Sequence, residues 1–158
     1  MCALTGCDDD GEAVSTNAAV EVAEPVLPAG FDLDEVTITS ADGEARTLSV
    51  WVAESAEDRG RGLMGVTDLG AAAGMLFVFE SEELHRFYMW QTPLPLDIAF
   101  LADDGTFVGS AEMEPCLQPS SATCERYAPD VPYVMALEAP AGTLDDLGVG
   151  PGARLTRT

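Results

Sequence analysis

The sequence contains no lysine, a single histidine, and no apolar run long enough to cross a bilayer as a helix. Seven arginines face 28 aspartates and glutamates, for a net charge of -21 over 158 residues. A surface of that sign repels phosphate backbones and anionic headgroups, which disfavours nucleic acid as a partner. No zinc-ligand spacing, nucleophile elbow, phosphate loop or dinucleotide fingerprint is present, so no metal or cofactor is expected. The lone His85 stands among Glu82, Glu83 and Arg86, the setting of an exposed side chain rather than a general base. Asp103-Asp104-Gly105 lacks the alternating oxygens of a calcium loop and reads as a turn.

What remains is ordinary for a globular chain, with 47% apolar residues and a length suited to one domain plus a tail. Residues 1–30 have no amphipathic period, carry the run Asp8-Asp9-Asp10-Gly11-Glu12, and read as a disordered acidic tether. Near their start, Leu4-Thr5-Gly6-Cys7 resembles the lipobox of bacterial lipoproteins, in which the cysteine is lipidated after cleavage. The resemblance implies an extracytoplasmic domain anchored to the outer face of the cell membrane through Cys7, or otherwise secreted, with no other membrane contact. Neither a basic region nor a long apolar region precedes the box in this sequence, a departure from that pattern.

Cys116 and Cys124 border a short polar loop. Their spacing is too wide for a zinc pair, and a nucleophilic cysteine needs a base beside it. A disulfide closing the loop is the economical reading, worth about 2–3 kcal/mol, and it too points to an oxidising compartment.

From residue 31 to residue 158 the pattern is that of a single domain. Glu35 to Thr39 and Arg46 to Val52 alternate apolar and polar residues around Ala41-Asp42-Gly43-Glu44, the signature of a hairpin. Ser55, with Asp58 three residues on, caps a short helix over Ala56 to Leu63. Gly74 to Phe79 is a continuous apolar run and reads as a buried central strand. Further strands are expected at Phe87–Trp90, Leu96–Leu101, Thr106–Met113, Val131–Glu138 and Ala153–Thr156, with a second helical turn after Thr143. The expected fold is mainly β, a compact small barrel or strongly bent antiparallel sheets with two short helices.

The most apolar stretch, Phe87 to Leu101, carries few polar inserts. Arg61, Thr92 and Asp97 are the candidate ligand-binding residues, with Gln91 and Trp90 beside them. Arg61 and Asp97 would pair across the site, although a structural pair pinning helix to sheet explains them as well. Tyr88, Trp90 and Trp51 could offer stacking faces, although most aromatics of a domain this size are core.

Several segments in order are similar to the domain-of-unknown-function 192 family of small bacterial and archaeal proteins. They are Arg61-Gly62-Leu63-Met64, Gly74 to Phe79, Met89 with Thr92, Pro95-Leu96-Asp97 and Phe100, then Pro115-Cys116, Cys124 with Tyr127, Tyr133-Val134, Leu137-Glu138 and Ala141-Gly142. The family has a basic residue and an asparagine where this chain has Trp90 and Gln91, and Gly-Asp where it has Gly152-Ala153. The resemblance implies a compact β-rich fold and no established reaction. Together these features suggest a monomeric, noncatalytic binding or envelope-accessory domain whose partner is a small ligand or an envelope component. The alternative is a small hydrolase or lyase built on Arg61, Thr92 and Asp97.

Overall fold

The structure, a computed structural model, describes residues 23–158. Cys7 and the acidic run behind it lie outside the described residues. Among the described residues, seven strands form one sheet: β1 (Asp32–Thr39), β2 (Ala45–Ala53), β3 (Gly74–Glu83), β4 (Leu96–Leu101), β5 (Phe107–Met113), β6 (Tyr133–Pro140) and β7 (Arg154–Arg157). Their order across the sheet is β5-β4-β6-β3-β2-β1-β7, which puts the apolar run of β3 in the middle. The single α-helix among the described residues, α1 (Ala56–Arg61), is capped by Ser55, whose hydroxyl accepts from the Asp58 amide, and it ends at Gly62.

Three expectations need correction. β3 pairs parallel with β2, not antiparallel, because α1 and the loop behind it give a crossover long enough to return the chain in the same direction. Phe87–Trp90 is not a strand. It makes single bridges to Tyr127 and Cys116, and the positive φ of Gln91 (54°) and the prolines at 93 and 95 stop any ladder from continuing. The segment after Thr143 forms turns and no second α-helix; its Leu147-to-Thr143 bond closes one turn only.

The sheet bends but does not close into a barrel. Its edges, β5 and β7, meet at one bridge, Thr106–Arg154, flanked by bonds from Leu155 N–H to Gly105 O and Phe107 N–H to Ala153 O. Gly105 permits this approach: a Cβ there would lie 1.9 Å from the Leu155 carbonyl oxygen.

Strand alternation sorts the core into two clusters, one on each face. Val50, Val52, Leu76, Ala99, Leu101, Leu137 and Leu155 belong to the first. Ala53, Met75, Phe77, Leu96, Ile98, Phe100 and Ala136 belong to the second, together with Leu63 and Val66 from the stretch after α1. Both faces of β4 are covered, which is why its six residues are all buried and its sequence does not alternate. Each fully buried aliphatic side chain contributes about 1.5–3 kcal/mol.

The stretch just before β1 lies against the second face. Val26 N–H donates to the Thr67 hydroxyl, Val26 O accepts from the Thr67 and Asp68 amides, and Ala29 O accepts from Arg61. These residues belong to the C-terminal end of the segment expected as a tether, and they are hydrogen-bonded to the domain.

Candidate functional site

β6 carries one acidic residue in the run Met135-Ala136-Leu137-Glu138-Ala139. By alternation Glu138 shares a face with Ala136, and its strand partners are Met75 and Ile98, both in the second cluster. A carboxyl group is thus set among apolar side chains at the middle of the sheet. The backbones are as close as the chain permits: a Cβ on Gly74 would lie 2.1 Å from the Glu138 carbonyl oxygen.

Burial pushes the Glu138 carboxyl up to about 8, and among the described residues no hydrogen bond or nearby cation opposes the shift. At neutral pH it is mostly the uncharged acid, able to donate a hydrogen bond. Glu138 lines a cavity of about 330 Å³ between the sheet, α1 and the 85–92 connector. Leu63, Met64, Phe77, Phe79 and Phe87 supply apolar wall, and Thr92 also borders it.

The aromatic wall is a packed assembly. Phe87 meets Phe77 edge-on at 5.1 Å between ring centroids, and Tyr133 contacts Phe79 at 5.5 Å and Phe100 at 4.9 Å. Such pairs add about 0.5–1.5 kcal/mol each beyond burial. The Tyr133 hydroxyl donates to the His85 carbonyl at 2.8 Å, which fixes the start of the connector. Burial also raises the Tyr133 hydroxyl above its ordinary range. On the far side, the Cys116–Cys124 disulfide is formed, and its loop grips the connector. Gln91 N–H donates to Cys116 O, Cys116 N–H to Met89 O, and Trp90 Nε1 to Gln118 O.

Arg59, Arg61 and Arg86 also line the cavity, three of the seven arginines of the chain. Arg59 lies over the Phe79 ring and donates to the carbonyls of Val78 and Glu54. Arg61 stacks on Phe31 at 4.0 Å and pairs with Asp58 at 3.2 Å. Among the described residues neither Arg59 nor Arg86 has a carboxylate partner, although acids outnumber arginines 28 to 7. Arg61 and Arg86 are exposed, while Glu138 is only 5% exposed, so cations stand at the mouth and the acid at the floor.

The expected pairing of Arg61 with Asp97 does not occur. Asp97 alternates with Ala99 and Leu101 and so belongs to the face opposite α1. Its Oδ2 accepts from the Gly142 amide at 2.7 Å and ties down the turn after β6; its buried Oδ1 has no hydrogen-bond partner among the described residues. Asp97 borders a separate cavity with Glu112 and Asp145, where no three potential metal ligands converge among the described residues. Thr92 is buried and its hydroxyl donates to Trp90 O, while Gln91 is exposed with a left-handed backbone. Of the five expected ligand residues, the cavity takes Arg61 and Thr92. Tyr88 borders it too, but Trp51 and Trp90 spend their indole N–H groups on the Leu69 and Gln118 carbonyls. Glu138 was missed, although a single acid inside an apolar strand was the signal for it.

The model of the DUF192 family, described as Uncharacterized ACR, matches residues 37–157. A solved structure from Sinorhizobium meliloti 1021, described as that of a candidate transcription regulator, is similar at 32% identity, covering 82% of this chain and 97% of its own, with a TM-score of 0.70. A protein of unknown function from Novosphingobium aromaticivorans DSM 12444 is similar at 27% identity and the same TM-score, covering 89% of this chain and 98% of its own. Comparison with curated proteins finds no match.

Proposed function

The chain belongs to the DUF192 family, and on that premise we propose that it is a noncatalytic domain that binds a small ligand. One observation carries the reading: a buried carboxyl, unpaired among the described residues, at the floor of an aromatic-walled cavity that three arginines also line. Leaving an acid without a partner in an apolar setting destabilises the fold, and such groups concentrate at sites where something binds or reacts. Binding is favoured over reaction because, among the described residues, no serine or cysteine borders the cavity beside Glu138, and His85 is exposed and turned to Glu83. The Thr92 hydroxyl is engaged with backbone, and Asp97, needed by the hydrolase or lyase alternative, faces the other side of the sheet.

An extracytoplasmic setting agrees with the disulfide and with the lipobox-like Leu4 to Cys7. The description of the Sinorhizobium meliloti protein as a transcription regulator is not carried to this chain, since a net charge of -21 opposes contact with phosphate.

The test is a titration with heptan-2-one, a neutral probe, followed by amide chemical shifts. Resonances of Phe77, Phe87 and Glu138 should move in the native protein and stay still in Met64→Trp, which fills the cavity from a half-buried position. The reading is wrong if the probe moves none of them, or moves them equally in both proteins.

A further inference from the structure

The two ends of the cavity do not neutralise each other. Three arginines line it, yet among the described residues none forms an ion pair with the Glu138 carboxyl. The charged and titratable groups that border the cavity are Arg59 and Arg61 from α1, and His85, Arg86 and Tyr88 from the connector. β3 and β4 face Glu138 with apolar side chains only. The wall between is mainly apolar, and the cavity's 330 Å³ lies at the small end of ligand-pocket volumes.

Resting on the binding function above, we propose that the ligand is a small amphipathic carboxylate, its anionic head held by Arg86 and Arg59 and a second oxygen at its far end accepting from Glu138. Each requirement has its own cause. Cations without a carboxylate partner, in a chain with 28 acids, leave a charge at the mouth that an anion completes. A cationic ligand would be repelled at that mouth. An uncharged acid at the floor presents a proton, so the group that meets it must accept one. The apolar body replaces water against Phe77, Phe87 and Leu63.

Four molecules of one carbon length separate these claims. Heptan-2-one has only the carbonyl, heptanoate only the carboxylate, 6-oxoheptanoate has both, and heptylamine carries the opposite charge. By calorimetry or chemical-shift titration at pH 6.5, 6-oxoheptanoate should bind at least tenfold more tightly than either single-ended molecule, and heptylamine more weakly than heptan-2-one. Arg86→Gln should bring 6-oxoheptanoate close to heptan-2-one. Arg86 makes no hydrogen bond or ion pair among the described residues, so the fold survives its loss. Glu138→Leu should erase the advantage of 6-oxoheptanoate over heptanoate. The ligand class is overturned if heptan-2-one binds and 6-oxoheptanoate binds no better, or if heptylamine binds as tightly, and the binding function then stands. If neither ketone binds, both fall.

Discussion

Replacing Glu138 with glutamine should change how stability responds to pH more than it changes stability at any one pH. The native carboxyl titrates near 8, whereas in the unfolded chain it returns to the ordinary 4.5. Below pH 4.5 both states hold the proton and there is no penalty. Above it the unfolded chain ionises and is stabilised relative to the native one, so native stability falls by about 1.4 kcal/mol for each pH unit. The loss amounts to about 3 kcal/mol at pH 7 and levels off near 5 kcal/mol above pH 8. Glutamine has almost the same shape and no titration, so Glu138→Gln should match the parent at pH 4.5 and gain about 3 kcal/mol by pH 7. For a domain of this size that is roughly 10 °C in melting temperature.

Chemical denaturation of both proteins at pH 4.5, 6, 7 and 8.5 reads the difference directly. The acid limb belongs to other groups and cancels between the two proteins. Asp34 is held below 3.8 by hydrogen bonding from Arg157, Asp42 by the Ser40 hydroxyl, and Asp104 by the Thr106 hydroxyl, so their contribution disappears only as pH falls below that value. Parallel stability curves for parent and variant would refute the reasoning, because they would mean that Glu138 ionises as easily in the native protein as in the unfolded one.

Three further outcomes follow from particular contacts. Gln91→Asn should stabilise the protein by about 0.5–1 kcal/mol in thermal melts, because asparagine tolerates the left-handed φ of 54° better than glutamine does; no gain would show that the strain is absent. Asp97→Ala should cost about 1–3 kcal/mol by leaving the Gly142 amide without its acceptor, while Asp97→Asn, which keeps an acceptor, should cost less. Neither should alter heptan-2-one affinity, and a selective loss of binding would return Asp97 to the site. Cys116→Ser with Cys124→Ser should cost about 2–3 kcal/mol and loosen the Phe87–Thr92 wall, seen as faster amide exchange at Gln91 and Cys116; unchanged exchange there would mean that the loop does not brace the cavity.

Local chemistry made much of this legible in advance. Ser55 and Asp58 announced the start of α1, Ala102–Gly105 announced the β4–β5 hairpin, and the unbroken apolar run from Gly74 announced a strand covered on both sides. What could not be read was pairing. The parallel β2–β3 ladder depends on where the chain returns after α1, which no property of either strand specifies. Phe87 to Trp90 has the composition of a strand, but its bonds go to the Cys116 loop, far along the chain. Charge alone suggests an Arg61–Asp97 pair, and the face that each strand residue takes decides against it. Counting in twos along Leu96 to Leu101 puts Asp97 with Ala99 and Leu101, and Leu96 with Ile98 and Phe100. Once β6 is laid beside β4 in register, the same counting puts Glu138 beside Ile98.

At Glu138 fold and stability disagree. The surrounding strands are consistent at every level: alternation matches burial, Gly74 admits the close backbone approach, and the aromatic rings interlock behind it. A leucine or methionine would fill the same place and remove a penalty of about 3 kcal/mol at pH 7. Stability alone therefore favours replacing the acid, and the packing around it offers no compensating bond. Surface charge does not explain it either, since Glu138 is buried. A group that weakens the fold and faces an open cavity is best accounted for by what enters that cavity. An incoming hydrogen-bond acceptor would favour the protonated form further, so the carboxyl should titrate higher in the liganded protein than in the free one. A Glu138 carbon resonance whose titration midpoint moves up on adding 6-oxoheptanoate would show the acid in use as a donor. A midpoint that moves down would mean that the ligand meets it as a carboxylate, and the donor role would be lost.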